Sequence, residues 1–289
     1  MTRSESEPQR LSVGLRVNLN KKLDDLIIRV FKFDILFLIS TIVVFILLLK
    51  LKFIRLFSRT NLNSILEFMT SRFWPPETSS VVQENIRFAL WETIQMAFIA
   101  TYFGTLMSLP VALLASRNLT PNYISTPFRL FLASIRTIPS LIWALTFVII
   151  FGLGPRAGTI ALSFYTMGYL SKFQYETFEG LLSDAVEALT ALGASKIQII
   201  RYVILPESAN QLISQILFMF EYNIRAGSII GFVGAGGLGF LLSYYLSYFQ
   251  FHAMLTTLIY LFITIITIDF ISGLIRKRFH DPKFDDLSV

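Results

Sequence analysis

Apolar residues along this chain of 289 residues gather into six long runs separated by short polar gaps. A helix rises about 1.5 Å per residue, so roughly 20 apolar residues cross the ~30 Å hydrocarbon core of a bilayer. Most runs reach that length, and the pattern therefore predicts an all-α integral membrane protein with about six transmembrane helices. The runs lie near residues 33–57, 88–116, 128–153, 157–175, 208–230 and 253–275.

The first run is the least regular of the six. Its uncharged centre covers only residues 35–49, and Lys50 and Lys52 follow closely. Long Lys side chains can reach out of the hydrocarbon to the headgroups, so a helix that tilts little could still span.

The polar and apolar segments divide the chain into four parts. We expect a cytoplasmic tail over 1–32, then the first transmembrane helix and an external loop over 33–87. The remaining helices form a core over 88–275, which contains a polar loop at 176–206. A second cytoplasmic tail covers 276–289.

Basic residues suggest how the chain is oriented. Seven Lys or Arg precede the first run, which predicts a cytoplasmic N-terminus, and six spans return the C-terminus and the loop at 176–206 to the same side. One feature disagrees, because Arg59, Arg72 and Arg87 would then lie in or at the edge of the external loop.

Composition excludes several classes of function. Charged residues make up 15% of the chain and hydrophobic residues 54%, whereas soluble domains carry about a quarter charged residues. There is no cysteine, and His252 and His280 lie far apart, so no thiol nucleophile, metal cluster or catalytic triad is evident. The net charge of +6 could indicate nucleic acid, but the basic residues border apolar runs as membrane topology requires.

The polar loop at 176–206 differs from the other gaps because Ala and Leu, which favour helices, alternate with its charges. It predicts two short helices outside the bilayer that meet near Gly193, with Pro206 starting the next span. The charged residues are Glu176, Glu179, Asp184, Glu187, Lys196 and Arg201.

This loop resembles the cytoplasmic motif of ABC importer permeases. That motif reads Glu-Ala-Ala, three residues, Gly, nine residues, and Ile-any residue-Leu-Pro. Here Leu189 replaces its second Ala and Val203 its Ile. The resemblance implies that the loop is a coupling helix which contacts a partner ATPase, whereas the plain alternative is a helical hairpin on the membrane surface. The residues implied in coupling are Glu187, Ala188, Gly193, Leu205 and Pro206.

Further segments, spread over about residues 85 to 275, are similar to the phosphonate-type ABC permeases. They include Trp91-Glu92-Thr93, Arg136-Thr137-Ile138-Pro139, Gly152-Leu153-Gly154-Pro155 and Glu221-Tyr222-Asn223-Ile224-Arg225-Ala226. The resemblance implies a type I ABC importer permease fold in the bacterial inner membrane, which acts as a homodimer with two cytoplasmic ATPases and an external binding protein. Such importers carry phosphonate, phosphite or related oxyanions, and a permease for methionine, glycine betaine or another small solute is the near alternative.

A glycine-rich segment follows the fifth run. Gly234 to Gly239 fits the G-x-G-x-x-G pattern of dinucleotide-binding folds, but no strand-helix-strand unit surrounds it, and the next acid, Asp269, lies inside an apolar run. Sharp bends or re-entrant backbone are the better interpretation. We expect a gate or hinge formed by Gly231, Gly234, Gly236, Gly237 and Gly239.

Charged and polar residues inside apolar runs are costly in a bilayer and usually face a polar interior. Glu221 and Arg225 stand four residues apart on one helical face, so they form either a structural pair or part of an anion path. Asp269 is expected to be an interfacial or interhelical hydrogen-bond partner. The candidate translocation pathway comprises Glu92, Arg136, Glu221, Asn223 and Arg225.

No G-x-x-x-x-G-K-[ST] motif occurs in the chain, so we expect no nucleotide site and no enzymatic activity of its own. ATP and Mg²⁺ would be held by the partner ATPase. Two other functional classes make different demands on the sequence. A secondary transporter would need carboxylates near broken helices to bind coupling ions. A membrane enzyme would need a cluster of residues that forms a nucleophile, a base or a metal site.

Overall fold

The computed structural model describes residues 35, 37–50, 59–181 and 184–279, which are helical except for short turns, with no strand among them. This confirms the predicted all-α fold. The predicted tail over 1–32 and residues 280–289 lie outside the described residues.

The chain divides into two compact units, residues 1–70 and 71–289. In the first unit, α1 (Phe37–Lys50) is an exposed apolar helix that covers the middle of the first predicted run. It is followed by α2 (Arg59–Glu67), whose last turn continues as a π-helix over Phe68–Phe73.

The second unit is built around α3 (Ser80–Ala115) and α6 (Pro155–Gly180). Small residues on the inner face of α3 let the two helices approach closely. A Cβ added at Gly104 would lie 2.5 Å from Thr166 Cγ2, so no larger residue fits without movement. The small buried residues of α3 are Ala89, Thr93, Ala97, Ala100, Thr101, Gly104, Ser108, Ala112 and Ala115.

The run at 128–153, predicted as one helix, is broken in two. It forms α4 (Asn122–Thr137) and α5 (Ser140–Phe151), which meet at 90°. Pro139 lacks an N–H and disfavours helical geometry at the residue before it, and Ile138 is accordingly extended, with φ −88° and ψ 126°.

The polar loop contains α7 (Asp184–Ala191) and a short second helix, α8 (Lys196–Ile199). Pro206 lies in the first turn of α9 (Leu205–Ile230), as predicted. Unlike the prediction, helical structure already precedes it, because a π-turn over Ile200–Ile204 joins α8 to α9 without a break. In this turn the Leu205 N–H donates to the Ile200 carbonyl, and the wider turn accommodates the ring of Pro206.

A 3₁₀ turn over Gly231–Val233 and the glycine segment lead to α10 (Gly237–Ser247), and α11 (Phe251–Phe279) ends the described chain. Judged by length and composition, three described helical stretches can cross a membrane: α3, the run Lys196–Val233, and Phe251–Arg278 within α11. The bent pair α4–α5 makes a fourth if it counts as one span. The count of six stays a prediction.

Candidate functional site

The polar loop forms an ordered hairpin around Gly193. This residue has φ +80°, and the N–H groups of Gly193 and Ala194 donate to the carbonyls of Thr190 and Leu189, at 3.0 Å each. This is a glycine C-terminal cap for α7. Ser195 then begins α8 with a capping box to Gln198.

The tip of this hairpin is exposed and partly apolar. Leu192 and Ile197 are 82% and 77% exposed, and Glu187 and Ala188 also face outward. Exposed apolar side chains on an ordered hairpin are typical of a contact surface for another protein. The hairpin can therefore present a fixed face to a partner.

The inner side of the hairpin is packed onto the helix bundle. Val186, Leu189 and Ile199 join a cluster with Phe178 and Leu132. The Lys196 ammonium also donates to the Leu119 carbonyl, with Nζ and O 2.8 Å apart. Motion of the hairpin would thus reach α4, α6 and the turn after α3.

An ion pair next to the hairpin was not predicted. The Glu179 carboxylate, near the end of α6, accepts hydrogen bonds from the Arg129 guanidinium and the Arg117 backbone N–H. Arg129 also donates from Nε to the Ala115 carbonyl at 2.8 Å and lies over the Tyr175 ring, 4.4 Å from its centroid. The sequence placed Glu179 in the loop but gave no sign of its partner.

Glu221 and Arg225, whose spacing allowed either a structural pair or part of an anion path, form an ion pair with 2.9 Å between Oε1 and Nη2. Glu221 is only 7% exposed and is also 3.6 Å from Nη2 of Arg276, a residue of α11 that was not predicted here. Arg276 is in turn 3.9 Å from the Asp269 carboxylate. Glu221 therefore joins α9 to α11 through Arg276. The contact of Asp269 lies within α11, and its side chain is exposed, so this contact does not make Asp269 the interhelical partner that was expected.

Asn223 is fully buried and links three helices. Its amide nitrogen donates to the hydroxyls of Thr101 and Thr166, at 2.9 Å each. The Thr166 hydroxyl is also 3.1 Å from the amide oxygen. As a pathway residue Asn223 stays a prediction; its contacts here join α9 to α3 and α6.

Glu92 borders a long apolar groove of about 930 Å³ between α3, α5 and α6. Phe103, Met107 and Phe147 line the groove, and Arg156, a residue not predicted, shares it with Glu92. Arg225 instead lines a separate cavity of about 310 Å³ between α9, α10 and α11. The structure thus places Glu92 and Arg225 at different cavities, and the buried Glu221 lines neither of the two.

Arg136 lies in the last turn of α4, next to the break at Ile138. Its Nε and Nη1 atoms are buried and make no hydrogen bond within the described part of the chain, and its guanidinium carbon is 5.9 Å from the centroid of the Tyr169 ring. The nearby Ile135 carbonyl accepts the indole N–H of Trp143 at 3.0 Å, which ties α4 to α5 across the break.

The glycine segment is tightly packed. A Cβ at Gly239 would lie 2.0 Å from the Ser228 carbonyl oxygen, and Gly236 combines φ +80° with the backbone of Pro155 at 2.7 Å. The Leu238 N–H donates to the Thr93 hydroxyl at 2.8 Å, which fixes the segment to α3. The left-handed backbone also includes Gly234 and Gly237, and Gly231 packs against α10. Their role as gate or hinge stays a prediction.

Over residues 35, 37–50, 59–181 and 184–279, no group of three His, Asp or Glu residues is placed to hold a metal ion.

A bundle of long apolar helices with an exposed hairpin is typical of a membrane transport permease. Residues 104–281 match the family of binding-protein-dependent transport system inner membrane components. The chain belongs to this family, and it is thus the membrane subunit of an importer of the ABC class.

Two curated relatives are transport permeases. PtxC of Stutzerimonas stutzeri, a phosphite transport system permease protein, is 33% identical over 191 residues, 66% of this chain and 70% of PtxC. PhnE of Mycolicibacterium smegmatis, a phosphate-import permease protein, is 34% identical over 188 residues, 65% of this chain but 35% of PhnE.

A solved structure shares the fold. A chain of the MetNI methionine ABC transporter, in an inward-facing conformation, superposes with a TM-score of 0.64 and 24% sequence identity. The match covers 71% of this chain and 100% of that chain. It confirms the ABC importer permease fold that the motifs implied.

Proposed function

We propose that this chain forms the translocation pathway of an ATP-driven importer for phosphite, phosphonate, phosphate or a related phosphorus oxyanion. The substrate class rests on the relatives, since PtxC is a phosphite permease and PhnE a phosphate-import permease. A permease for methionine, as in the solved structure of similar fold, is the second candidate.

The hairpin around Gly193 is the observation that supports ATP-driven transport. It combines an exposed tip at Leu192 and Ile197 with an inner side packed against the bundle. A partner protein that binds the tip can therefore move α4, α6 and α9, because the inner side of the hairpin contacts these helices directly. In this proposal Glu187, Ala188, Gly193, Leu205 and Pro206 belong to the coupling surface.

The proposed assembly contains two copies of the chain, two cytoplasmic ATPases that hold ATP and Mg²⁺, and an external binding protein. The hairpin and both termini then face the cytoplasm of a bacterial cell. ATP binding closes the ATPases, the hairpins transmit the movement, and the two copies open outward to receive the substrate.

Within the bundle, we place Glu92, Arg136 and Arg225 along the pathway, with Glu221 and Asn223 holding the helices that carry them. The glycine segment from Gly231 to Gly239 forms the gate. Its support is the left-handed backbone, which ties the start of α10 to α3 and α6 in a compact turn.

Uptake by cells of the organism that encodes this chain tests the function. Deletion of the gene should abolish growth on phosphite, methylphosphonate or low phosphate as the sole phosphorus source, and the intact gene should restore it. ATP depletion should stop uptake of the radiolabelled oxyanion. Undiminished oxyanion uptake in the deletion strain, with loss of methionine uptake instead, would favour the second candidate.

A further inference from the structure

Arg136 lacks the counter-charge that the comparable arginines have. Arg129 pairs with Glu179, and Arg225 and Arg276 share Glu221. Arg136 forms no ion pair with any residue in the described part of the chain, and its Nε and Nη1 atoms are buried without hydrogen bonds. Arg136 is partly exposed as a whole, but a cation whose N–H groups are shielded without a partner is unfavourable in a membrane.

The contacts of Arg136 hold it in place without neutralising it. Gly168 lets α6 approach α4 so closely that a Cβ there would lie 2.7 Å from Ile135 Cγ2. The Tyr169 ring lies beside the guanidinium, at 5.9 Å from Cζ to the centroid. A ring face attracts a cation, but it fills none of the five N–H positions of the guanidinium.

The surroundings are suited to a polar solute. The break between α4 and α5 lies two residues beyond Arg136, and irregular backbone within a membrane protein is tolerated where it is covered or lines a cavity. Tyr165 connects Tyr169 on its own helix to Tyr222 on α9, with ring centroids 4.6 and 5.7 Å away, and the Tyr222 hydroxyl is 3.2 Å from that of Tyr165. Three tyrosine side chains on α6 and α9 therefore form a continuous row that begins beside the Arg136 guanidinium.

We infer that Arg136, seated on Tyr169, is the position at which a phosphorus oxyanion is bound during passage. The inference rests on the proposed function and specifies its site. The planar guanidinium offers two parallel N–H groups, which match two oxygens of a tetrahedral anion. The missing partner is then the transported anion itself, and a permanent carboxylate at this position would compete with it.

Uptake kinetics test the site. With the complete transporter in proteoliposomes, Arg136→Lys should raise KM for radiolabelled phosphite about tenfold or more and leave the maximal rate less affected, because one charge remains but the paired N–H groups do not. Arg136→Gln should abolish uptake. Arg87→Gln is the matched control, since Arg87 is exposed and its Nε donates to the Gln83 carbonyl of its own helix at 3.4 Å. This variant should behave like wild type.

Thermal unfolding separates a binding role from a structural one. An unpaired cation does not hold the fold together, so Arg136→Gln should melt at or above the wild-type temperature, whereas loss of a structural residue lowers it. Millimolar phosphite should raise the melting temperature of the wild-type complex and not that of Arg136→Gln.

Phosphite uptake at the wild-type rate by Arg136→Gln, or a lowered melting temperature for that variant, would overturn the role inferred for Arg136. The proposed function of the transporter would be unaffected by either result. Failure of the wild-type transporter to take up phosphite, phosphate or methylphosphonate would overturn the proposed function and the inference with it.

Discussion

Single residues determine whether the hairpin forms. Gly193 has φ +80°, a conformation that a β-branched residue adopts only under strain, although no neighbouring atom lies within 4 Å of the Cβ position. Glycine is therefore favoured at position 193 by the left-handed backbone conformation and not by a lack of space for a side chain.

Gly193→Val should consequently disrupt coupling and leave the bundle intact. We expect uptake to fall about tenfold or more, in keeping with a backbone strain of roughly 1–3 kcal/mol. Gly180→Val is the matched control, because Gly180 lies at the end of α6 with open space and no left-handed backbone. Uptake assays with both variants, at equal membrane content, check this; equal activity would show that the turn is not needed.

Glu221 should matter more than either arginine that it contacts. Glu221→Gln leaves Arg225 and Arg276 without their shared carboxylate, whereas Arg225→Gln leaves Glu221 with Arg276. We expect a larger drop in melting temperature for Glu221→Gln, and partial recovery when both changes are combined. If the two single variants melt at the same temperature, the shared arrangement does not stabilise the fold.

At the scale of elements, the hairpin is the part that the sequence predicted best. The sequence predicted its glycine, its two helical segments and their spacing. The glycine could be predicted because few residues other than Gly adopt the left-handed conformation of a helix C-terminal cap. The break at Ile138 was not predicted, since a proline in an apolar run can bend a helix or end it, and only packing decides which. The π-turn at Ile200–Ile204 leaves no pattern of apolar positions by which it could be found.

The candidate site was predicted less completely than the fold. The i,i+4 spacing allowed the pairing of Glu221 with Arg225, but Arg276 joins them from a helix about 50 residues later in sequence. Arg129 and Glu179 are equally distant from each other. Such contacts depend on how helices pack, which local periodicity does not encode.

The side of the membrane on which the hairpin lies can be measured directly, because the chain has no cysteine. Ala191→Cys places a thiol at an exposed position beside the cap without removing the Ser195 capping box. An impermeant maleimide should label it in inverted membrane vesicles and not in intact cells. Labelling of intact cells would contradict the cytoplasmic orientation.

At the scale of the whole molecule, the amount of apolar surface left exposed implies further protein or lipid around the bundle. Exposed large apolar residues occur on α3, α5 and α11 alike, and apolar side chains such as Phe103 and Phe147 line the 930 Å³ groove beside Glu92. The proposed second copy would cover part of this surface.

Native mass spectrometry of the transporter purified in mild detergent should therefore find two copies of the 33.0 kDa chain in each complex. Removal of the ATPase by dilution should leave the pair of permease chains together if they contact each other directly. A single permease chain in the intact, transport-active complex would contradict the homodimer.

The π-turn ahead of Pro206 also bears on the direction in which the hairpin points. Each residue of an α-helix turns the chain by about 100°, so one surplus residue in a regular helix would swing everything beyond it by that angle. The wider π-turn over Ile200–Ile204 takes up the surplus residue instead. Deleting an exposed residue of this turn, such as Tyr202, should therefore leave Leu192 and Ile197 facing nearly the same direction around the axis of α9.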